Sequence, residues 1–338
     1  MRDVRVAIAG FGGVGQAIAT SLLARQERYA AVQNASVRLI AVCSSKAGIA
    51  CEGGLSADQL NSLDAGRTGI DFLLQTKPDI VIEAGPTDYQ TGEPGLGYIR
   101  AALMAGCDAI VVSKGALVRE GRALRQLART SGSMLEVSGA SGAGLPAIDM
   151  LRAGLTEEIV RLEGILNVTT TYLLDAMMQC GITLQEAMIE ARMQGFVERD
   201  PQNDIEGWDA AAKLLLIANF GLDADLSIDD VTVTGIANVT EAQVAGWRAQ
   251  ATVPRLVATL TRERGEIHAE VGLRTYLTGD PMALVRGKTK AIRITTREAG
   301  ETMVSGGGEE PGTTAAAALK DLELILRARL AGPLWRNG

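Results

Sequence analysis

The sequence predicts an α/β protein with two domains and a closing helix that returns to the first of them. Three observations predict it: an apolar strand that runs through a glycine turn into a helix at the N-terminus, a change to long strands beyond residue 138, and a glycine-rich loop, Ser305–Ala315, that opens a final helix over Thr314–Leu330. The expected boundaries are 1–137 for a dinucleotide-binding domain, 138–304 for a second domain and 305–338 for the C-terminal loop and helix.

Val4–Ala9 is a short apolar strand, Gly10-Phe11-Gly12-Gly13-Val14-Gly15 is a glycine turn, and the residues from Gln16 onward have helical periodicity. The G-x-G-x-x-G spacing has a mechanism in that setting. Gly10 permits the tight turn, Gly12 lets a pyrophosphate approach the backbone, Gly15 allows close helix packing, and the helix N-terminus faces the negative charge. The second strand ends in Ser44-Ser45-Lys46, where an NAD-selective site commonly carries an acid for the ribose hydroxyls. The missing acid favours NADP over NAD, with Ser44, Ser45 and Lys46 as partners of a 2′-phosphate, although Lys46 is equally at home in solvent. Later strands, Asp79–Gly85 and Ala109–Ser113, flank a helix over Gly97–Gly106, and ligands of open parallel sheets sit beyond such strand ends. Gly85, Pro86, Ser113 and Lys114 therefore join the cofactor candidates, and Lys114 is also a candidate polar catalyst.

A helix over Gly121–Thr130 and a strand over Met134–Val137 lead to the loop Ser138–Pro146, whose glycines let carbonyls face a hard cation or a nicotinamide; a plain hinge fits the spacing as well. Beyond it, strands over Val160–Leu166, Val231–Val239, Gln250–Arg262 and Glu266–Tyr276 mix with helices over Thr183–Gln194 and Asp209–Asn219, an α+β pattern. Gly308 and Thr314 lie at the last glycine loop and are further cofactor candidates.

The richest stretch runs from Glu198 to Lys213, where acids gather in a turn and a helix then carries Asp209 and Lys213 on one face. Spacing alone also fits a surface ion pair worth a few tenths of a kcal/mol. The rest of the helix is apolar, however, which predicts burial, and a buried lysine beside a carboxylate can protonate an oxygen that receives hydride.

Composition narrows the classes. A chain of 338 residues with 47% hydrophobic and 22% charged residues has length enough for two cores. Its net charge of −7 without a basic stripe excludes a duplex nucleic acid partner, and no apolar run is long enough to span a membrane. The N-terminus enters a strand at once, without a signal-like stretch, so cytoplasmic residence is expected. The four cysteines lack metal or redox spacing and read as small buried hydrophobes. His268, the single histidine, stands in an alternating strand, which leaves proton transfer to Lys, Asp, Glu or Tyr.

Taken together, four signatures make the chain resemble homoserine dehydrogenase from end to end: the glycine turn; the block from Pro86 through Lys114; Glu163-Gly-Ile-Leu-Asn-Val-Thr-Thr-Thr-Tyr-Leu; and Glu198-x-Asp-Pro-x-x-Asp-x-x-Gly-x-Asp-x-x-x-Lys213. The resemblance, to the short form without a regulatory extension, implies a Rossmann dinucleotide-binding domain, an α+β substrate and dimerisation domain, and a C-terminal helix packed on the first. It implies a homodimer and NAD(P)-dependent interconversion of homoserine and aspartate 4-semialdehyde, in threonine and methionine biosynthesis. Lys213 would protonate the carbonyl oxygen, Asp209 would orient lysine and substrate, and Lys114 would lie near the hydride. Glu198 would bind the substrate ammonium, with Asp204 and Thr169 beside it. Carbonyls of Ser138, Ser141, Ala143 and Leu145 would take Na+ or K+. Departures from the family pattern stand at Ser113, Val168, Thr171, Arg199, Glu309 and Glu310. They leave open a relative acting on another small hydroxy- or amino acid, and a dinucleotide-binding protein without turnover.

Overall fold

Strand β1 (Arg2–Ala9) alternates valine and isoleucine with alanine, and from Val6 to Ala9 every residue is at most 1% exposed, so both faces are covered as a central parallel strand requires. In the computed structural model the described residues are 1–154, 158–194, 201–263, 265–308 and 310–330. They divide into two units, Met1–Gly144 with Glu309–Gly338, and Leu145–Gly308.

Around β1 the first unit arranges β2 (Ala35–Cys43), β3 (Ala47–Ala50), β4 (Asp64–Ala65), β5 (Ile80–Glu83), β6 (Asp108–Val111) and β7 (Leu135–Glu136) in the order β4-β3-β2-β1-β5-β6-β7. Strands β2, β1, β5, β6 and β7 are parallel, while β3 and β4 fold back antiparallel at one edge. The order reverses at β1, which makes this a doubly wound, Rossmann-type sheet with its switch point between β1 and its neighbours. The helix over Gly121–Thr130 expected from the sequence is longer, Gly115–Ser131, with non-helical backbone at Glu120.

The C-terminal helix, Gly312–Leu330, belongs to this unit. Ala315, Ala318, Leu319, Leu322, Ile325 and Leu326 lie in one buried cluster with Ile8, Ile18 and Leu22, so the last helix packs on the helix Gly13–Ala24 behind β1. Asp321 on this helix is fully buried and accepts from Ser138 N–H at 2.9 Å and Ser138 Oγ at 2.7 Å. Burial pushes its carboxyl above the ordinary range, against the Lys320 ammonium and the Ser138 donors.

The second unit is built on a six-stranded sheet in the order β13-β12-β8-β10-β11-β9, from β8 (Ile159–Ile165), β9 (Val231–Val233), β10 (Thr252–Glu263), β11 (Glu266–Leu277), β12 (Thr289–Thr296) and β13 (Gly300–Gly307). Some sequence expectations change. The strand expected over Val231–Val239 stops at Val233, because Gly235 passes so close to Ile205 O that a Cβ would stand 2.1 Å from it, and a capping box at Thr240 and Gln243 then starts a helix over Glu241–Ala249. No sequence pattern announces the hairpin of β12 and β13, and β13 takes up the first part of the glycine run expected as a loop. Cys180 is exposed and Cys51 half-buried, so only Cys43 and Cys107 are the buried hydrophobes expected. His268 is exposed on β11, as its alternating setting predicted.

One face of this sheet carries Leu162, Leu256, Leu260, Ile292 and Ile294 into a core shared with the helices Val168–Cys180 and Trp208–Gly221. The other face carries a second apolar cluster, of Ile165, Val253, Val257 and Ala291 with Met282 and Val285, and beside it a charged group. Glu163 accepts from Arg293 Nη2 at 2.6 Å, Arg161 Nη2 at 3.0 Å and Tyr276 OH at 3.3 Å. Burial raises its carboxyl, but the Arg293 and Arg161 donors outweigh that and leave it below the ordinary 4.5. A depressed folded value stabilises the fold fully above the unfolded one and is lost as pH falls through the folded one. Acid denaturation should therefore begin below about pH 4.5, and E163Q should flatten that limb while costing stability at neutral pH, read by urea melts across pH.

Candidate active site

The strand ends of the first unit are level. Ala9 pairs in register with Cys43 and with Glu83, and Glu83 pairs with Val111, so the four chains leave the sheet side by side. The segments that follow are the ones the sequence singled out: Gly10–Gly15, Ser44–Lys46, Gly85–Pro86 and Ser113–Lys114. Gly10 has φ of 100° and a Cβ there would stand 2.4 Å from Ala84 C, while a Cβ on Gly15 would stand 2.0 Å from Gly10 O. Gly12 and Gly13 instead face open space, with nothing within 4 Å of an added Cβ. Gly12 is the N-cap and no side chain caps the helix, so its first N–H groups are exposed to whatever occupies that space. This cradle fits a pyrophosphate. Phe11 turns into the core at 8% exposure, and Val14 packs half-buried against the same cluster.

Glu83, to which the sequence reading gave no role, ties two of these segments together. Its carboxyl accepts from Gly85 N–H at 2.7 Å, Ser113 Oγ at 2.6 Å and Ser113 N–H at 3.3 Å. Burial pushes its carboxyl up, against those three donors. Ser113, where the family pattern usually has asparagine, thus spends its hydroxyl on Glu83. Lys114 N–H donates to Thr87 Oγ1 at 3.2 Å, and Pro86 is exposed. Ser44 is committed to its own turn, since Oγ donates to Ala47 O at 3.0 Å and accepts from Ala47 N–H at 3.1 Å; Ser45 and Lys46 are exposed.

Other expected positions are less open. Ser138 O already accepts from Ser141 Oγ, Gly142 N–H and Ala143 N–H, each at 3.2 Å, and Leu145 O accepts from Ala147 N–H at 2.8 Å. Two of the four expected carbonyls, those of Ser138 and Leu145, are thus already engaged within the chain. Among the described residues no cluster of His, Cys, Asp or Glu could hold a metal either. Gly308 is exposed at the end of β13. Thr314 is 8% exposed, and its N–H donates to Glu310 Oε2 at 3.3 Å, so the final helix is capped by the chain's own carboxylate.

In the second unit, the helix Trp208–Gly221 starts at Gly207, whose φ of 92° lets the chain turn sharply out of the short helix Gln202–Ile205. Asp209 and Lys213 lie one turn apart at its start with side chains 13% and 14% exposed, the burial that its apolar sequence predicted. Lys213 Nζ donates to Asp209 Oδ2 at 2.5 Å and to Leu166 O at 2.9 Å. An ammonium has three donors, and two are spent here. Asn167, just after β8, donates to Asp204 Oδ1 at 2.7 Å and to Asp209 Oδ2 at 2.9 Å. The structure thus brings Asp204, Asp209 and Lys213 together, with Thr169 half-buried in the first turn of the helix Val168–Cys180. Glu198 and Arg199 lie outside the described residues.

A family model described as homoserine dehydrogenase matches residues 146–322, and one described as homoserine dehydrogenase, NAD binding domain, matches residues 10–138. The chain is 30% identical to an NAD(+)-dependent homoserine dehydrogenase of Pseudomonas canavaninivorans over 95% of this chain and 96% of that protein. The chain belongs to the homoserine dehydrogenase family. It is also 28% identical to a homoserine dehydrogenase of Methanocaldococcus jannaschii, over 94% of this chain and 97% of the relative. The crystal structure of a homoserine dehydrogenase from Thiobacillus denitrificans, 25% identical, superposes with a TM-score of 0.88 over 100% of this chain and 76% of that one.

Two departures from the homoserine dehydrogenase pattern find a local account. Val168, where the family pattern usually has glycine, occupies the first helical position with no left-handed backbone, so glycine is not required there. Thr171, where the pattern usually has asparagine, donates its hydroxyl to Asn167 O at 3.0 Å inside the helix, a role that needs no amide.

The two glycines of the turn should separate in experiment. G12A meets no atom of the chain, so its melting temperature should stay within a few degrees of wild type while dinucleotide affinity falls about tenfold or more. G15A collides with Gly10 O and should lower both. Differential scanning calorimetry and dinucleotide titration would show this.

Proposed function

We propose that the protein interconverts L-homoserine and L-aspartate 4-semialdehyde with a nicotinamide dinucleotide. The observation that carries the reading is the largely buried Lys213 ammonium, fixed by Asp209 and Leu166 O with its third N–H taken by no group among the described residues. Aldehyde reduction builds negative charge on oxygen, so an ammonium within hydrogen-bond reach stabilises the transition state more than the ground state and supplies the proton. Asp209 holds that ammonium in place. Asp204 and Thr169 line the substrate side, and Glu198 takes the substrate's own ammonium by a charge-assisted bond. A nicotinamide dinucleotide held at the Gly10–Gly15 turn would supply the hydride, and Lys114 would lie near it. No step is assigned to Na+ or K+, since Ser138 O is already committed.

NADP is the proposed form, because β2 ends without an acid and Ser45 and Lys46 stand exposed beyond it. The second sheet is the proposed element for pairing two copies, and the cytoplasm the proposed location.

The purified protein should reduce NADP with homoserine, followed by nicotinamide absorbance. K213A should lose about 10²- to 10⁴-fold in kcat with the fold and dinucleotide affinity retained. Failure of the wild type on homoserine, with turnover of another hydroxy-amino acid, would overturn the substrate. For the cofactor, K46A should lower the NADP to NAD ratio of kcat/KM by about tenfold, as loss of one charge-assisted phosphate contact implies. An unchanged ratio would leave Lys46 merely solvated.

A further inference from the structure

Asn167 is 5% exposed and every polar atom of its side chain is in use. Its oxygen accepts the Thr170 N–H at 2.9 Å, which caps the helix Val168–Cys180. Its nitrogen carries two hydrogens, and each goes to a different carboxylate: Asp204 Oδ1 on the short helix Gln202–Ile205, and Asp209 Oδ2 on the helix Trp208–Gly221. Asp209 Oδ2 is the same atom that receives the Lys213 ammonium.

We propose that Asn167 is a positioning residue of the reaction: one amide group fixes the spacing of Asp204 and Asp209 and, through Asp209, the aim of the Lys213 ammonium. This rests on the oxidoreductase reading above. Two like charges brought onto one small site repel unless donors stand between them, and a planar amide with two N–H groups supplies those donors in a fixed geometry. The cap makes the amide rigid, because Thr170 N–H holds the oxygen and leaves the nitrogen a single direction. A group locked this way by its own bonds is what keeps catalytic side chains within tight tolerance.

Capping and positioning make different demands on the side chain. A cap needs only an acceptor oxygen, and Asp or Ser serve about as well as Asn. Holding two carboxylates needs a pair of N–H donors, which neither offers. If Asn167 only caps, N167D and N167S should both resemble wild type. If it positions, the order of activity should run wild type, N167S, N167D, since N167D sets a third carboxylate against Asp204 and Asp209.

The expected result is a loss in kcat with homoserine of about tenfold in N167S and about 100-fold in N167D, with KM for the dinucleotide unchanged, a size typical of catalytic groups displaced by about 1 Å. The melting temperature of N167S should stay within a few degrees of wild type, whereas N167D, which buries a third carboxylate, should melt lower, so N167S is the variant in which activity is weighed against stability. Activities of both variants within twofold of wild type, or a loss in N167S that merely follows its melting temperature, would overturn the proposal. Wild-type turnover of homoserine is measured alongside, because its absence strikes the functional reading instead. In that event crystal structures of wild type and N167S decide: displaced Asp204 and Asp209 side chains uphold the positioning role, and unmoved ones overturn it.

Discussion

An ammonium and a carboxylate are withdrawn from most of their water at the start of the helix Trp208–Gly221, and the second unit is arranged around the cost of doing so. A buried pair holds only if the remaining hydrogen-bonding capacity of both partners is met. Leu166 O meets part of it for Lys213, and the Asn167 amide meets part of it for Asp209. Both come from consecutive residues at the end of β8, so the strand that anchors the second sheet also delivers the neutral dipoles that make a charged pair tolerable within it. The helix that follows starts there, which places its N-terminal dipole beside the two carboxylates and adds to the same balance.

The first unit solves a different problem, that of leaving backbone bare. Gly12 and Gly13 keep a space clear over the helix N-terminus, while Gly10 and Gly15 are so closely packed that no side chain fits. Level strand ends then gather four segments at one edge, and Glu83 braces two of them from below. An acceptor of three hydrogen bonds is a rigid brace, since rotating it would strand those donors.

Much of this was legible beforehand. The glycine turn and the Asp209/Lys213 face needed only local rules of spacing, and the positions of Gly85 and Lys114 followed from the general behaviour of parallel sheets. Asn167 was visible only as a letter in a motif, because four β-branched residues behind it, Val168, Thr169, Thr170 and Thr171, hide a helix start; an asparagine ahead of an apolar run is nonetheless a capping signal. Glu83 and Asp321 were unreadable for another reason. Each sits in an apolar element and finds its partners far along the chain, and no local pattern announces a bond between residues 138 and 321. The Ser44 hydroxyl was read as a ligand group, yet a β-turn claimed it, since side chains of that size bond most readily to their own backbone.

The route of the chain through the two units also orders its own synthesis. Leu145–Gly308 is continuous and can close as soon as it leaves the ribosome. The unit that begins first cannot. Its interior stays open against β1 until Ala315, Leu319 and Leu322 emerge, so a nascent chain stopped before residue 312 exposes the apolar flank of the helix Gly13–Ala24 to solvent and to chaperones.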